Sequence, residues 1–245
     1  MILGYIFAVF IGFLLGIMGG GGSILIIPVF IYLLKMDPKL SIGLSLGIVG
    51  ITSFIGVLNH YRKSHVSFKT VVVFAPFTML GAYLSSYISS FIPGPSQLLF
   101  FATVMFACSL MMIQEKQKIE IKKKNPFLIG TIAFVIGIIS GIAGVGGGFL
   151  IVPSLVILVQ LPMKKAVGTS LAVISLSALT AFSNYITQLE IPWLFFISFT
   201  VLSGVGISLG SHFVPYISQQ KLKKSFGFFL ILMSLFILLT TFRTL

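Results

Sequence analysis

Acidic side chains are almost absent from this chain. Its 245 residues include four, Asp37, Glu115, Glu120 and Glu190, and all lie in loops or at the ends of apolar stretches. Intramembrane cation sites and proton relays use buried carboxylates, so neither has its groups here. The one cysteine, Cys108, excludes an internal disulfide and any cysteine-rich metal motif. The three histidines, His60, His65 and His212, have no carboxylate within hydrogen-bonding reach along the sequence. His212 alone is read as lying inside a span, near its interfacial end. No catalytic residue, metal site or cofactor is expected, and the chain does not read as an enzyme.

Charge of either sign is scarce. Charged residues make up 8% of the chain, where a soluble domain carries about 25%. With 57% hydrophobic residues and a mean hydropathy of +1.14, the solvent is the lipid bilayer. The net charge of +12 would suggest nucleic acid in a soluble protein. Here every Lys and Arg lies between or beyond the apolar runs, so the charge is topological and no nucleic-acid partner is expected. The N-terminus lacks a basic region and a small-residue cleavage signal, and is read as retained.

Charge-free runs cover 1–34, 40–59, 70–114, 125–163, 166–189, 191–220 and 225–242. A membrane helix needs about 20 residues. Pro93-Gly94-Pro95 divides the third run, predicting spans over 70–91 and 97–114. Further spans are predicted over 41–60, 166–187, 192–214 and 222–242. The stretches 2–34 and 127–160 are too long for one span, and a glycine cluster interrupts each.

Those clusters belong to an internal repeat. Shifted by 125 residues, Gly16, Gly19, Gly21, Gly22 and Pro28 fall on Gly141, Gly144, Gly146, Gly147 and Pro153. The register continues without a gap through Ser45 and Ser170 to Asn59 and Asn184. The chain therefore divides into membrane repeats at 1–114 and 126–245, with a basic linker at 115–125. If 2–34 and 127–160 each cross once, the repeats are parallel and Lys and Arg divide nine to seven between the faces. If each folds back as a hairpin, the repeats are inverted and the division is thirteen to three. The positive-inside rule favours the second. The expected fold is all-α and polytopic: an inverted repeat, each half a glycine-broken helical hairpin plus three spans. Both termini lie outside and the basic loops in the cytoplasm.

Glycine inside a helix costs roughly 1 kcal/mol against alanine, so such clusters need a reason. Non-helical backbone at membrane depth survives only inside protein or beside a wet cavity. Paired interruptions at equivalent positions of two halves point to a transporter's binding site. The backbone is expected to leave helical geometry near 19–27 and 144–152, with Pro28 and Pro153 opening new helices. The candidate binding residues are Gly19, Gly20, Gly21, Gly22, Ser23, Gly144, Gly146, Gly147 and Gly148. Ser45, Thr169 and Ser170 join them, near the starts of the following helices, because hydroxyls beside bare helix N–H groups bind anions. Asn59 and Asn184, at equivalent helix ends, complete the set. Tight packing of small residues and capping by Ser or Asn are the alternatives for each.

GIMGGGGSILIIP and GIAGVGGGFLIVP, each followed by a Gly-x-Ser segment and later an Asn, resemble the TauE/SafE sulfite exporter family over the whole chain. The resemblance implies a multi-pass permease of the bacterial inner membrane for sulfite or small organosulfur anions. It carries the family's glycine motif to Gly19, Gly21, Gly22, Gly144, Gly146 and Gly147, and its hydroxyl segment to Ser45, Thr169 and Ser170. The first half has Leu44 where the second has Thr169, so the half-sites need not contribute equally. Export of a small oxyanion by alternating access is the leading expectation. A passive anion channel, an intramembrane enzyme and a structural subunit are the alternatives.

Overall fold

The computed structural model describes residues 2–89, 91–113, 126–143 and 148–244. The linker 115–125 and Gly144, Gly146 and Gly147 of the candidate site lie outside them. Among the described residues there are ten α-helices and no strand: α1 (Ile2–Met18), α2 (Gly21–Pro28), α3 (Pro38–Tyr61), α4 (Phe68–Ser89), α5 (Gly94–Ile113), α6 (Pro126–Ala143), α7 (Gly148–Ile157), α8 (Met163–Ile186), α9 (Trp193–Phe213) and α10 (Gln219–Thr244). Five of them, α3, α4, α8, α9 and α10, are long and apolar enough to cross a membrane.

The helices begin where the local chemistry starts them. Asp37 caps α3, its carboxylate accepting from the amides of Lys39 and Leu40 at 2.8 and 3.1 Å, with Pro38 in the first turn. At 24 residues each, α3 and α8 are about 36 Å long, enough for the roughly 30 Å hydrocarbon layer. They form the centre: 72% of each apolar window is buried in protein, against 39% in α10. The two run antiparallel, because Gly43 meets Tyr185, Gly47 meets Phe182 and Gly50 meets Leu179. Small residues on α3 let the helices approach closely.

The stretch 2–34 folds back on itself. Helix α1 stops at Met18, Gly19 turns the chain with φ +68°, and the return leg brings Leu34 against Gly4. Pro28 does not open a helix as expected but closes α2, and a π-helical turn over Val29–Leu33 follows. Pro153 likewise lies inside α7. The break is confined to the glycines. A proline in a later turn only frees one carbonyl of the preceding turn, and the wider π turn absorbs that locally.

The outer helices pack through backbone-to-backbone contacts at glycine. Gly12 rests on the Ser203 carbonyl and Gly206 on that of Val9, joining α1 to α9. Gly137 rests on the Thr78 carbonyl and Gly81 on that of Phe134, joining α6 to α4. Shifted by 125 residues, the first pair of contacts becomes the second. At one end of the bundle Lys63 Nζ donates to the Ser211 carbonyl at 3.0 Å and Lys164 Nζ to that of Pro215 at 2.6 Å. Ammonium groups there satisfy carbonyls at and beyond the α9 C-terminus, and the loops after α3, α7 and α9 share that end.

Candidate functional site

A helix that stops inside a bundle leaves its last four carbonyls without intrahelical donors. In α1 two of these, Leu15 and Gly16, have partners. The Leu15 carbonyl takes the Gly19 amide at 2.8 Å. The Gly16 carbonyl takes His60 Nε2, from the end of α3, at 3.1 Å. Beyond the helix, the Gly19 carbonyl accepts from Ser170 Oγ of α8 at 2.7 Å and the Gly20 carbonyl from Ser23 Oγ at 2.6 Å. Left bare in an apolar interior, each such group would cost several kcal/mol.

At Gly19, Gly20 and Gly22 the break has room for glycine alone. A side chain on Gly19 would stand 2.7 Å from Val167 Cα and 2.8 Å from Ser170 Oγ, on a left-handed residue that disfavours a Cβ. One on Gly20 would overlap the backbone of Gly148, the first residue of α7, so the two glycine segments touch. Gly22 is pressed against the Ile11 carbonyl. Gly21 is less confined, its nearest neighbour being the flexible Met18 Sδ at 3.0 Å.

Thus Gly19, Gly20, Ser23, Gly148 and Ser170 come together, with Gly22 behind them against α1. Thr169 Oγ1 instead accepts from the Ser67 amide at 3.0 Å, tying the loop before α4 to α8. Ser45 Oγ donates to the Ile42 carbonyl of its own helix at 2.8 Å. Ser23, Ser45, Thr169 and Ser170 are all fully buried. The asparagines join helices: Asn59 Nδ2 donates to Ser208 Oγ at 3.1 Å, and Asn184 Nδ2 to the Tyr83 carbonyl at 3.1 Å and Ser86 Oγ at 2.7 Å. Positions 83 and 208 are themselves 125 apart, so the two clasps correspond.

Sequence reasoning passed over His60 because it sought a carboxylate partner, and the partner is a carbonyl freed by the helix break. It also passed over Thr52, Ser53 and Ser203, buried hydroxyls whose oxygens have no hydrogen-bond partner. They lie at one level, since Gly204 of α9 meets Ile55 of α3. Only their mid-helix position in apolar segments could have singled them out.

His65, in the loop after α3, has its ring 5.8 Å from that of His60. Burial and then the charges of Lys164, Lys63 and Lys165 hold its pKa below the usual 6.5. The folded protein keeps His65 neutral at a pH where the unfolded chain takes up a proton. Its contribution is therefore intact above pH 6.5 and is lost as pH falls through the folded value. Thermal unfolding in detergent should shift to lower temperature between neutral pH and about pH 5, and His65→Asn should flatten that dependence. An unchanged profile in the variant would assign the effect elsewhere.

No group of three or more His, Cys, Asp or Glu able to hold a metal occurs among the described residues. A bundle of membrane-length helices with a broken helix packed into its interior is the architecture of a multi-pass membrane transporter. The sequence matches the family described as Sulfite exporter TauE/SafE over residues 5–237, and the chain belongs to that family. It is 31% identical over 237 residues to a probable membrane transporter protein of Xylella fastidiosa (strain Temecula1), covering 93% of this chain and 91% of that one. It is also 27% identical to the probable membrane transporter protein YunE of Bacillus subtilis, covering 85% and 88%, and 24% identical to YdhB of that organism, covering 88% and 91%. No solved structure matches it.

Proposed function

We propose that the protein exports a small oxyanion, sulfite or a small sulfonate, across the bacterial inner membrane by alternating access between two inverted halves. The antiparallel run of the equivalent helices α3 and α8 supports inversion, as does the return of Leu34 to Gly4. So does the meeting of three basic loops at one end, through Lys63 and Lys164, which becomes the cytoplasmic face.

The observation that carries the anion reading is the contact of Gly20 with Gly148. Helix α2 starts there, and the described part of α7 begins there at Gly148, so the positive end of the α2 dipole meets the second glycine segment at one buried point. The opposing negative end of α1 is capped by His60, while Ser170 and Ser23 meet the carbonyls just past it. The exposed chemistry is thus amide donors with no acid nearby, which suits an anion and offers a bare cation little. Closure of the two tips on each other favours alternating access over a passive channel.

Counterflow in proteoliposomes tests this. Liposomes loaded with unlabelled sulfite should accumulate labelled sulfite transiently, with a rate that saturates, and K⁺ or Na⁺ should not substitute. Flux linear in concentration would indicate a channel, and preference for a cation would end the anion reading.

A further inference from the structure

At the end of the bundle opposite the Lys63 and Lys164 contacts, the last turns of α4 and α8 and the first turns of α3 and α5 enclose a cavity of about 170 Å³. Ser89, Gln97 and Tyr185 form its buried floor, and Lys39 and Gln188 its exposed rim. Gln97 Nε2 donates to the Ser89 carbonyl at 2.7 Å. That bond fixes the orientation of the amide, because its oxygen cannot face another acceptor. Gln97 Oε1, in a side chain 2% exposed, has no partner. Ser89 Oγ and the Tyr185 hydroxyl stand 2.5 Å apart, one donating to the other. Two hydroxyls that share one bond keep one proton to give. The floor therefore presents one acceptor and one donor beneath a lysine.

A buried acceptor left unpaired is costly, and the packing here gives Gln97 Oε1 nothing. The group that completes it must donate a hydrogen bond, accept one, and tolerate a cation at the mouth. Asp37, two residues before Lys39, and Glu190, next to Leu189 of the lining, limit the positive charge there. A dianion is thereby disfavoured.

We propose that this cavity is a second, outer-face binding site for a small oxyanion that still carries an O–H, such as dihydrogen phosphate or hydrogen sulfite. Gln97 Oε1 accepts from that O–H, the Ser89–Tyr185 pair donates to an ionised oxygen, and Lys39 supplies the charge. Oxyanions without a proton leave Gln97 Oε1 unpaired and are rejected, and phosphodiester lipid headgroups, which have no such O–H, are rejected for the same reason. The site is separate from the glycine tips. It is read by equilibrium binding, so its failure leaves the counterflow result standing, and the reverse.

Inorganic phosphate and sulfate are tetrahedral probes of similar size, and at pH 6 only phosphate carries O–H groups. Calorimetry of the full chain in phosphatidylcholine nanodiscs should give phosphate an advantage of about tenfold or more, from the added hydrogen bond together with the disfavoured second charge of sulfate. Gln97→Leu should reduce that advantage severalfold, and Lys39→Gln, at the exposed rim, should weaken both anions, sulfate the more because it carries two charges. Equal affinity for the two anions in the parent protein would overturn the proposal. So would saturable binding of neither up to about 10 mM, beyond the range of a weak specific site. Unaltered phosphate binding in Lys39→Gln would overturn it as well, whether or not Gln97→Leu folds.

Discussion

Ser170→Asp is expected to cut anion efflux by roughly 100-fold at equal membrane levels. The Ser170 hydroxyl is fully buried and donates to the Gly19 carbonyl at 2.7 Å. An aspartate there loses the donor, sets its oxygens against that carbonyl, and places a negative charge at the proposed anion site. A carboxylate inside a membrane helix costs up to about 2.5–3.5 kcal/mol before any repulsion of substrate, and about 1.4 kcal/mol is a factor of ten. Ser170→Ala should be milder, about 1–3 kcal/mol for one buried carbonyl left unmet. Sulfite efflux from proteoliposomes, normalised to incorporated protein, makes the comparison. Equal efflux from Ser170→Asp and the parent would remove the anion from this site.

Gly20→Val is expected to abolish transport, with efflux falling to background while the protein still inserts. The added Cβ would overlap the Gly148 backbone, and backbone cannot step aside as a side-chain tip can. Overpacking of a fitted interior commonly costs about 1–3 kcal/mol, and here it also separates the two glycine segments of the proposed site. Gly21→Ala is the control. Its Cβ meets the flexible Met18 side chain at 3.0 Å, so most of the activity should survive. Insertion rests on the long apolar runs and should be unaffected in both. Normal efflux from Gly20→Val would make the cluster ordinary helix packing.

That contrast between neighbouring glycines marks the limit of what the sequence makes legible. The spans are visible in it because run length and solvent decide them. Predicted 41–60 is α3 at Pro38–Tyr61, and predicted 192–214 is α9 at Trp193–Phe213. The fold-back of 2–34 is legible through charge, since a hairpin gives the thirteen-to-three division of Lys and Arg and a single crossing only nine to seven. Which glycine is most confined is not visible: Gly19–Gly22 read alike in sequence, and the arrival of Gly148 and Val167 from the other half and of Ile11 from α1 is what sets Gly19, Gly20 and Gly22 apart from Gly21. The same holds for His60, whose partner Gly16 lies 44 residues away on another helix. Asn59 and Asn184 were expected beside the substrate from their equivalence alone. Equivalence is equally well met by the interhelical clasps they form with Ser208 and with Tyr83 and Ser86.

The proposed anion site depends on the two glycine segments entering from opposite faces, so that they meet tip to tip. Single cysteines at Lys35 and at Lys164, in a Cys108→Ser background, test that directly with a membrane-impermeant thiol reagent on oriented membranes. Inverted halves place Lys35 outside and Lys164 inside, so the reagent should label the first in intact cells and the second only in inside-out vesicles. Labelling of both positions from the same side is the result a single crossing of 2–34 and 127–160 demands, and it would contradict the inverted arrangement and the anion site built on it.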